Sequence, residues 1–267
     1  MYVIFHSEDD IKLIKKDDIY TPLFVGRDGK DNFGFCSDDS FDGNISFKNK
    51  YYCELTGLYW MWKVSSADVL GLCHYRRYFK SDSGKLIGKE DIEDYLSCFD
   101  IILPKKLNLI KESMWETYDN SYIGEGLKIT QNVIEKLYPE YLETFNMLLS
   151  QRSFSNFNMF IASKEITDEY CSWLFSILEE VESCINIEDY PRVFGLISEV
   201  ILNVWVEYNN LKVKECNIHY IGFKLKFLVF ISSNTILRKV YQFLHVNLFK
   251  KSSFGKKIEH FIQKLVY

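Results

Sequence analysis

The sequence has no Cys-x-x-Cys pair, no Asp-x-Asp and no long apolar run, and only four prolines in 267 residues. Its seven cysteines, at 36, 53, 73, 98, 171, 184 and 216, are an odd number without paired spacing. That pattern argues against a disulfide framework or a zinc site and fits reduced thiols in a cytoplasmic compartment. No uninterrupted apolar stretch approaches the roughly 18 residues of a membrane span. The opening MYVIFHSEDD has no basic region followed by an apolar run, so no secretory signal is expected. There is no internal repeat and no Gly- or Pro-rich linker. Without Asp-x-Asp, the carboxylate pair that would tie a divalent cation to a diphosphate is missing. If such a leaving group is handled, cationic side chains must stabilise it, and no cofactor or metal is expected.

What is present begins with rings. Aromatic residues make up 16% of the chain, 18 Tyr and 21 Phe among them, enough to line a carbohydrate or nucleotide site or to fill a large core. The net charge of −5 conceals an asymmetry. Residues 222–267 hold nine basic residues and one acid, which makes that segment about +8 and the remainder about −13. Within it, Leu237, Val240, Leu244 and Leu248, then Ile258, Phe261, Ile262 and Leu265, form apolar stripes beside lysines and arginines. Two basic amphipathic helices are expected, suited either to an anionic membrane surface or to packing on protein. The expected domain boundary is therefore 1–221 against 222–267.

In the body, apolar runs of strand type alternate with helical patterns. YVIFH, TPLFVG, VLGLCHYRR, DIILP, FNMFIAS (157–163) and LKVKECNIHYIG read as strands. Helices are expected from Asn49 with Tyr52, Leu55, Tyr59 and Trp62 on one face, over 89–97, within 129–150, over 164–182, and from Pro191 through Trp205. Residues 27–43 read as a Gly/Asp/Ser-rich loop. This alternation predicts an α/β fold with a mostly parallel sheet covered by helices. Ligands of such sheets bind outside the carboxyl ends of the strands.

The stretch VLGLCHYRRYF ends one of those strands in His74, Tyr75, Arg76 and Arg77. Two guanidinium groups at that position suit phosphate oxygens, and alternation along a strand should not bury adjacent arginines without a reason. The alternative is pairing with carboxylates of the acidic body. His6 ends the first strand, so His6 and His74 should face one cleft. Asn44, Ser46 and Asn49 bracket a helix start that suits an anion or a ribose, or simple capping. Lys48 beside them either reaches phosphate or points to water.

The ordered run GNISFKNKYYCELTGLYWMWK, GLCHYRRYF, DIILPK, KES, FNMFIAS, DEYCSWLF and RVFGLISEVILNVW resembles a domain of bacterial capsular-polysaccharide and O-antigen synthesis, that of the galactofuranosyltransferases. The likeness covers roughly residues 1–221, and PLFVG, ending in Gly26, fits its Pro-Ile-x-Val-Gly pattern. It implies a GT-A-like nucleotide-sugar-binding domain. It also implies inverting transfer of galactofuranose from UDP-galactofuranose to a polyprenyl-diphosphate-linked glycan. An inverting transferase needs a general base, and Glu199 is the first choice, with Glu54 and Glu112 as rivals. The donor diphosphate and nucleotide are assigned to His6, Gly26, Asn44, Asn49, Arg76 and Arg77. The sugar or acceptor is assigned to Glu54, His74, Asn158 and Arg192. The expected location is cytoplasmic and peripheral on the inner face of the cell membrane, held by residues 222–267. The alternatives are another UDP-sugar on the same fold, or a non-catalytic nucleic-acid or glycan-binding module. The acidic body argues against nucleic acid.

Overall fold

The computed structural model describes residues 1–15, 17–27, 29, 31–109, 113–118 and 122–222. The chain divides into two compact units, Met1–His219 and Tyr220–Tyr267. All the candidate site residues belong to the first. The basic helices expected beyond Gly222 lie outside the described residues, as does Glu112.

The first unit opens with β1 (Tyr2–Phe5), α1 (Glu8–Ile11), β2 (Thr21–Phe24) and the two-residue β3 (Cys36–Ser37). After the polar loop come α2 (Asn49–Tyr52), α3 (Leu55–Val64), β4 (Val69–His74), β5 (Arg77–Phe79), α4 (Lys89–Leu96) and β6 (Ile101–Pro104). Then follow β7 (Leu107–Asn108), α5 (Met114–Tyr118), α6 (Tyr122–Leu137), α7 (Leu142–Leu149), β8 (Ser153–Phe154) and β9 (Phe160–Ser163). The long α8 (Lys164–Ser183) and α9 (Val193–Tyr208) precede β10 (Val213–Cys216) and β11 (Ile218–Tyr220).

The main path of the sheet runs β10-β6-β9-β4-β1-β2-β3. Neighbours pair in parallel except at β9, which is antiparallel to both β4 and β6. The main path is therefore mostly parallel, as the alternating pattern predicts, with one reversed strand that no periodicity signals. The reversal has a consequence for the site. Leu72 of β4 pairs with Phe160 at the start of β9, so the residues that lead into β9 reach the rim where β4 ends.

Chain order also marks that rim. From β1 the chain moves outward to β2 and β3, then returns to place β4 on the other side of β1. The β1/β4 boundary is thus a topological switch point, where ligands of open α/β sheets bind. Ile4 pairs with His74, and the Tyr75 N–H donates to the Ile4 carbonyl at 3.1 Å.

Several element boundaries differ from expectation for local reasons. The helix expected from Asn49 breaks at Cys53, whose backbone stands at φ +52°, ψ −129°. The strand expected over 157–163 begins only at Phe160, because Phe157 and Asn158 are both left-handed. The strand VLGLCHYRR stops at His74, turns through Tyr75 and Arg76, and returns at Arg77, which pairs with His74. Pro191 lies before α9 rather than in its first turn, and left-handed Arg192 stands at the cap. The segment 211–222 splits into two short strands.

Helix α9 is buried at every position from Val193 to Val206, Glu199 included. It packs against α2, α6, α7 and α8, and Phe194 stacks on Tyr52 with centroids 4.4 Å apart. A helix apolar on nearly all sides belongs in a core, and this one carries a carboxylate into it.

Candidate active site

The centre of the site is the two-residue segment Phe157–Asn158. Both residues have positive φ, +74° and +52°, a conformation that costs a non-glycine residue on the order of 1–3 kcal/mol. Such strain persists where the surroundings over-determine it, and here they do. The Phe157 carbonyl accepts from His74 Nε2 at 2.8 Å. Because a carbonyl only accepts, that nitrogen carries the proton, which fixes the tautomer. The Phe157 N–H donates to the Glu199 carboxyl, and the Arg77 guanidinium lies over the Phe157 ring, 4.4 Å from its centroid. The Asn158 amide donates from Nδ2 to Glu54 Oε1 at 2.6 Å and to the Gly195 carbonyl at 2.8 Å. Four site side chains, Glu54, His74, Arg77 and Glu199, are therefore held by one kink.

The helices that bring in the carboxylates meet at close range. Glu54 stands between α2 and α3, just past the break at Cys53. Gly195 of α9 faces that break, and a Cβ there would lie 3.0 Å from Cys53 Cβ and 3.1 Å from its Sγ. A side chain there would force Cys53 to give way by a few tenths of an ångström. Arg192, at the α9 cap, donates its backbone N–H to the Lys50 carbonyl at 3.2 Å and its side chain to Cys53.

Electrostatics distinguish this cluster from an ordinary polar patch. Burial pushes the Glu199 carboxyl up to about 8, and the Glu54 charge adds to the rise. Arg77, the Phe157 N–H and Arg192 oppose it. Burial also pushes the His74 imidazole below its ordinary value, against Glu54 and with Arg77. Two interacting carboxyls, bracketed by two guanidiniums and a neutral imidazole, form a group that can take up or hold a proton near neutral pH. Among the described residues no three His, Cys, Asp or Glu side chains gather as a metal ion would require.

The structure thus gathers Glu54, His74, Arg77, Asn158, Arg192 and Glu199. Arg76 stands at the edge of this group, its guanidinium over the Tyr75 ring at 4.8 Å. His6 also approaches, edge-on to Tyr75 at 5.6 Å and within 3.5 Å of buried Asp10. The remaining donor-side candidates form a second group around the loop after β2. Gly26 has φ +65° and donates its N–H to Asp38 Oδ2 at 2.8 Å. Asn44 donates to the Phe41 carbonyl and accepts from the Ser46 N–H. Asn49 donates to the Cys53 carbonyl and to Thr56 Oγ1. Lys48 neither reaches toward phosphate nor points to water. It pairs with both oxygens of Glu182 at 2.8 and 2.9 Å, where the Tyr52 hydroxyl also donates.

Phe157, Cys53, Asp10 and Asp38 were not singled out by the sequence. An asparagine in FNMF is compatible with a left-handed turn, but nothing in the string marks a phenylalanine there. Buried Asp38 sits in a loop whose composition reads as solvent-facing.

Over residues 1–210 the sequence matches the family described as "Domain of unknown function (DUF4422)". Among solved structures, the apo form of the bifunctional glycosyltransferase WbbM is similar, with 30% sequence identity and a TM-score of 0.73. The match covers 83% of this chain and 45% of that one, so the chain spans less than half the length of the protein it matches. With the sheet described above, that likeness makes the fold GT-A-like. No curated protein matches the chain significantly.

Proposed function

The chain belongs to the DUF4422 domain family, and from that premise we propose that it is an inverting glycosyltransferase, transferring galactofuranose from UDP-galactofuranose to a lipid-linked glycan. The observation that carries this reading is the Glu54–Glu199 carboxyl pair beside Arg77 and His74, at the carboxyl end of β4 and next to the β1/β4 switch point. The naming of the similar solved structure as a bifunctional glycosyltransferase supports transfer. The galactofuranose donor rests on the motif resemblance.

Inversion proceeds by one displacement. The acceptor oxygen forms its bond to the anomeric carbon as the bond from that carbon to the UDP oxygen breaks. The acceptor proton passes to Glu199, and the leaving electron pair stays on the diphosphate. Glu199 suits the first task because a carboxyl whose proton affinity is raised toward neutral pH is a stronger base than a solvated one. Arg77 and Arg76 suit the second, since guanidiniums are permanently charged and match phosphate oxygens two at a time. Each lies over a ring, Arg77 over Phe157 and Arg76 over Tyr75. The chain has no Asp-x-Asp, so the proposal gives the charge-stabilising work to these cations and none to a metal. A lipid-linked acceptor, a cytoplasmic membrane-peripheral location and a membrane contact through residues 222–267 belong to the same proposal. Among the described residues no helix is long and apolar enough to cross a membrane.

The direct test is incubation with a panel of UDP-sugars and a synthetic lipid-linked acceptor, with mass spectrometry of the product. Mass gain from UDP-galactofuranose, undiminished by EDTA, is the expected result. Gain from a pyranose donor alone would replace the sugar, and no gain from any donor would remove the transferase reading.

A further inference from the structure

Asn158 is placed to look like a sugar contact, but its hydrogen bonds point elsewhere. Both hydrogens of its Nδ2 are committed to protein acceptors, Glu54 Oε1 and the Gly195 carbonyl. These two acceptors also fix which way the amide faces, because the flipped amide would set oxygen against oxygen twice. Its Oδ1 is buried and has no hydrogen-bond partner among the described residues, and the whole residue is only 2% exposed. A side chain so enclosed does not meet a ligand hydroxyl. What it does meet is one of two interacting carboxylates.

We propose that Asn158 is a positioning residue that locks the Glu54 carboxylate beside Glu199, and that the neighbouring charge sets how strongly Glu199 takes a proton from the acceptor hydroxyl. The inference rests on the assignment of Glu199 as base in the preceding reading. The kink makes the coupling mechanical. Phe157 donates its N–H to Glu199, and the next residue holds Glu54, so a single turn of backbone fixes the separation of the two carboxyls. The third anchor, the Gly195 carbonyl, comes from the helix that carries Glu199.

The charged and titratable groups that face Glu199 are few. Glu54 and Cys53 approach from the α2/α3 break, Arg77 from β5 and Arg192 from the α9 cap. Glu54 makes its proton harder to lose, and the two arginines make it easier, while the Cys53 thiol stays neutral beside it. His74, on β4, faces Glu54. Among the described residues that face Glu199, only Glu54 raises its proton affinity and is held by a side chain whose donors are both spent on protein. Once the clamp is cut, Glu54 is free to turn away, and Glu199 should ionise at lower pH.

The test is a pH titration of the Glu199 carboxyl by carbon-13 NMR of glutamate-labelled full-length protein, with Glu199→Gln to assign the signal. The wild-type midpoint should lie near pH 8, and Glu54→Gln and Asn158→Ala should each lower it by at least one pH unit, a tenfold loss of proton affinity. The acid limb of kcat/KM should move down with it while the donor KM changes less than threefold. A wild-type midpoint in the ordinary carboxylate range, or a midpoint unmoved in both variants, overturns the proposal. So does a tenfold rise in KM for either substrate with the midpoint unchanged, which would make Asn158 a sugar contact. If Asn158→Ala does not fold, Glu54→Gln decides alone. If the wild type transfers no sugar, the functional reading fails, yet the titration still decides whether the two carboxyls are coupled.

Discussion

Around Gly26, the Asp38 carboxylate and the Asn44 amide use their hydrogen bonds on the loop after β2 and its exit, and the Asn49 amide uses its own on Cys53 and Thr56. Around Asn158, burial and the Glu54 charge raise the proton affinity of the Glu199 carboxyl, and Arg77 and Arg192 offset them only in part. Both groups border the same rim of the sheet, and both are rich in the polar residues that sequence reading assigns to ligands. The first is satisfied by hydrogen bonds. Asp38, 1% exposed, receives the Gly26 N–H at 2.8 Å and the Ser46 hydroxyl at 2.6 Å. The second stores strain at Cys53, Phe157 and Asn158 and holds a carboxyl away from its ordinary proton affinity. The lesson is that polar density does not identify a reactive centre. A buried carboxyl with raised proton affinity, held by unfavourable backbone, is the more distinctive sign.

The largest expected effect belongs to Glu199→Gln, which should reduce transfer roughly 100- to 10,000-fold, the usual contribution of a general base. The same change should raise thermal stability at pH 8.5 by about 3 °C or more. The sign follows from linkage. Folded Glu199 keeps its proton up to about pH 8, whereas the unfolded chain releases it near the ordinary 4.5. Its contribution to stability is therefore complete below about pH 4.5 and lost as pH rises through 8. Calorimetry across pH 5–9 reads the slope, and Gln should flatten it.

Arg77→Ala should weaken UDP binding by about 100-fold, the loss expected for a charge-assisted pair, as measured by calorimetric titration. Because Arg77 favours the ionised form of Glu199, its removal should also move the acid limb of activity to higher pH. Arg76→Ala should weaken binding while leaving that limb in place.

Asp38→Ala tests the other side of the comparison. It strands the Gly26 N–H and the Ser46 hydroxyl, at a cost of about 2 kcal/mol by chemical denaturation. The pH dependence of activity should not change. A variant that kept its stability and lost its catalysis would place the Asp38 group in the machinery and dissolve the contrast. Gly26→Ala should cost at least about 1 kcal/mol, the strain of a left-handed alanine alone. An added Cβ would also stand 2.6 Å from Asn49 Oδ1. Combining it with Asn49→Ala should therefore cost less than the two changes separately.

Much of the fold was legible because burial writes directly into the sequence. YVIF, DIILP and the stripe of Ile166, Tyr170, Trp173 and Ile177 announce β1, β6 and α8 through their apolar periodicity. The antiparallel direction of β9 was not legible, since FIAS reads the same either way. The breaks at Cys53 and Phe157 were not legible either. Each is a tertiary override of local preference, imposed by helix approach at Gly195 and by hydrogen bonds to residues more than 40 positions away. Six site residues come together although they lie far apart in the chain, because chemistry-bearing types at strand ends and helix starts are few. Their division of labour needed distances. Asn158 reads as a sugar ligand until both its donors are seen to be engaged.

Helix α9 is enclosed by protein along fourteen consecutive residues. Amides in such a setting exchange with solvent only when a large part of the domain opens, so the backbone that carries Glu199 should be among the last to take up deuterium. The proposed base thus rides on a fixed frame. Under the proposed function, whatever flexing admits a glycan must occur in the loops around α9, and a change of acceptor would remodel those loops while leaving the helix untouched.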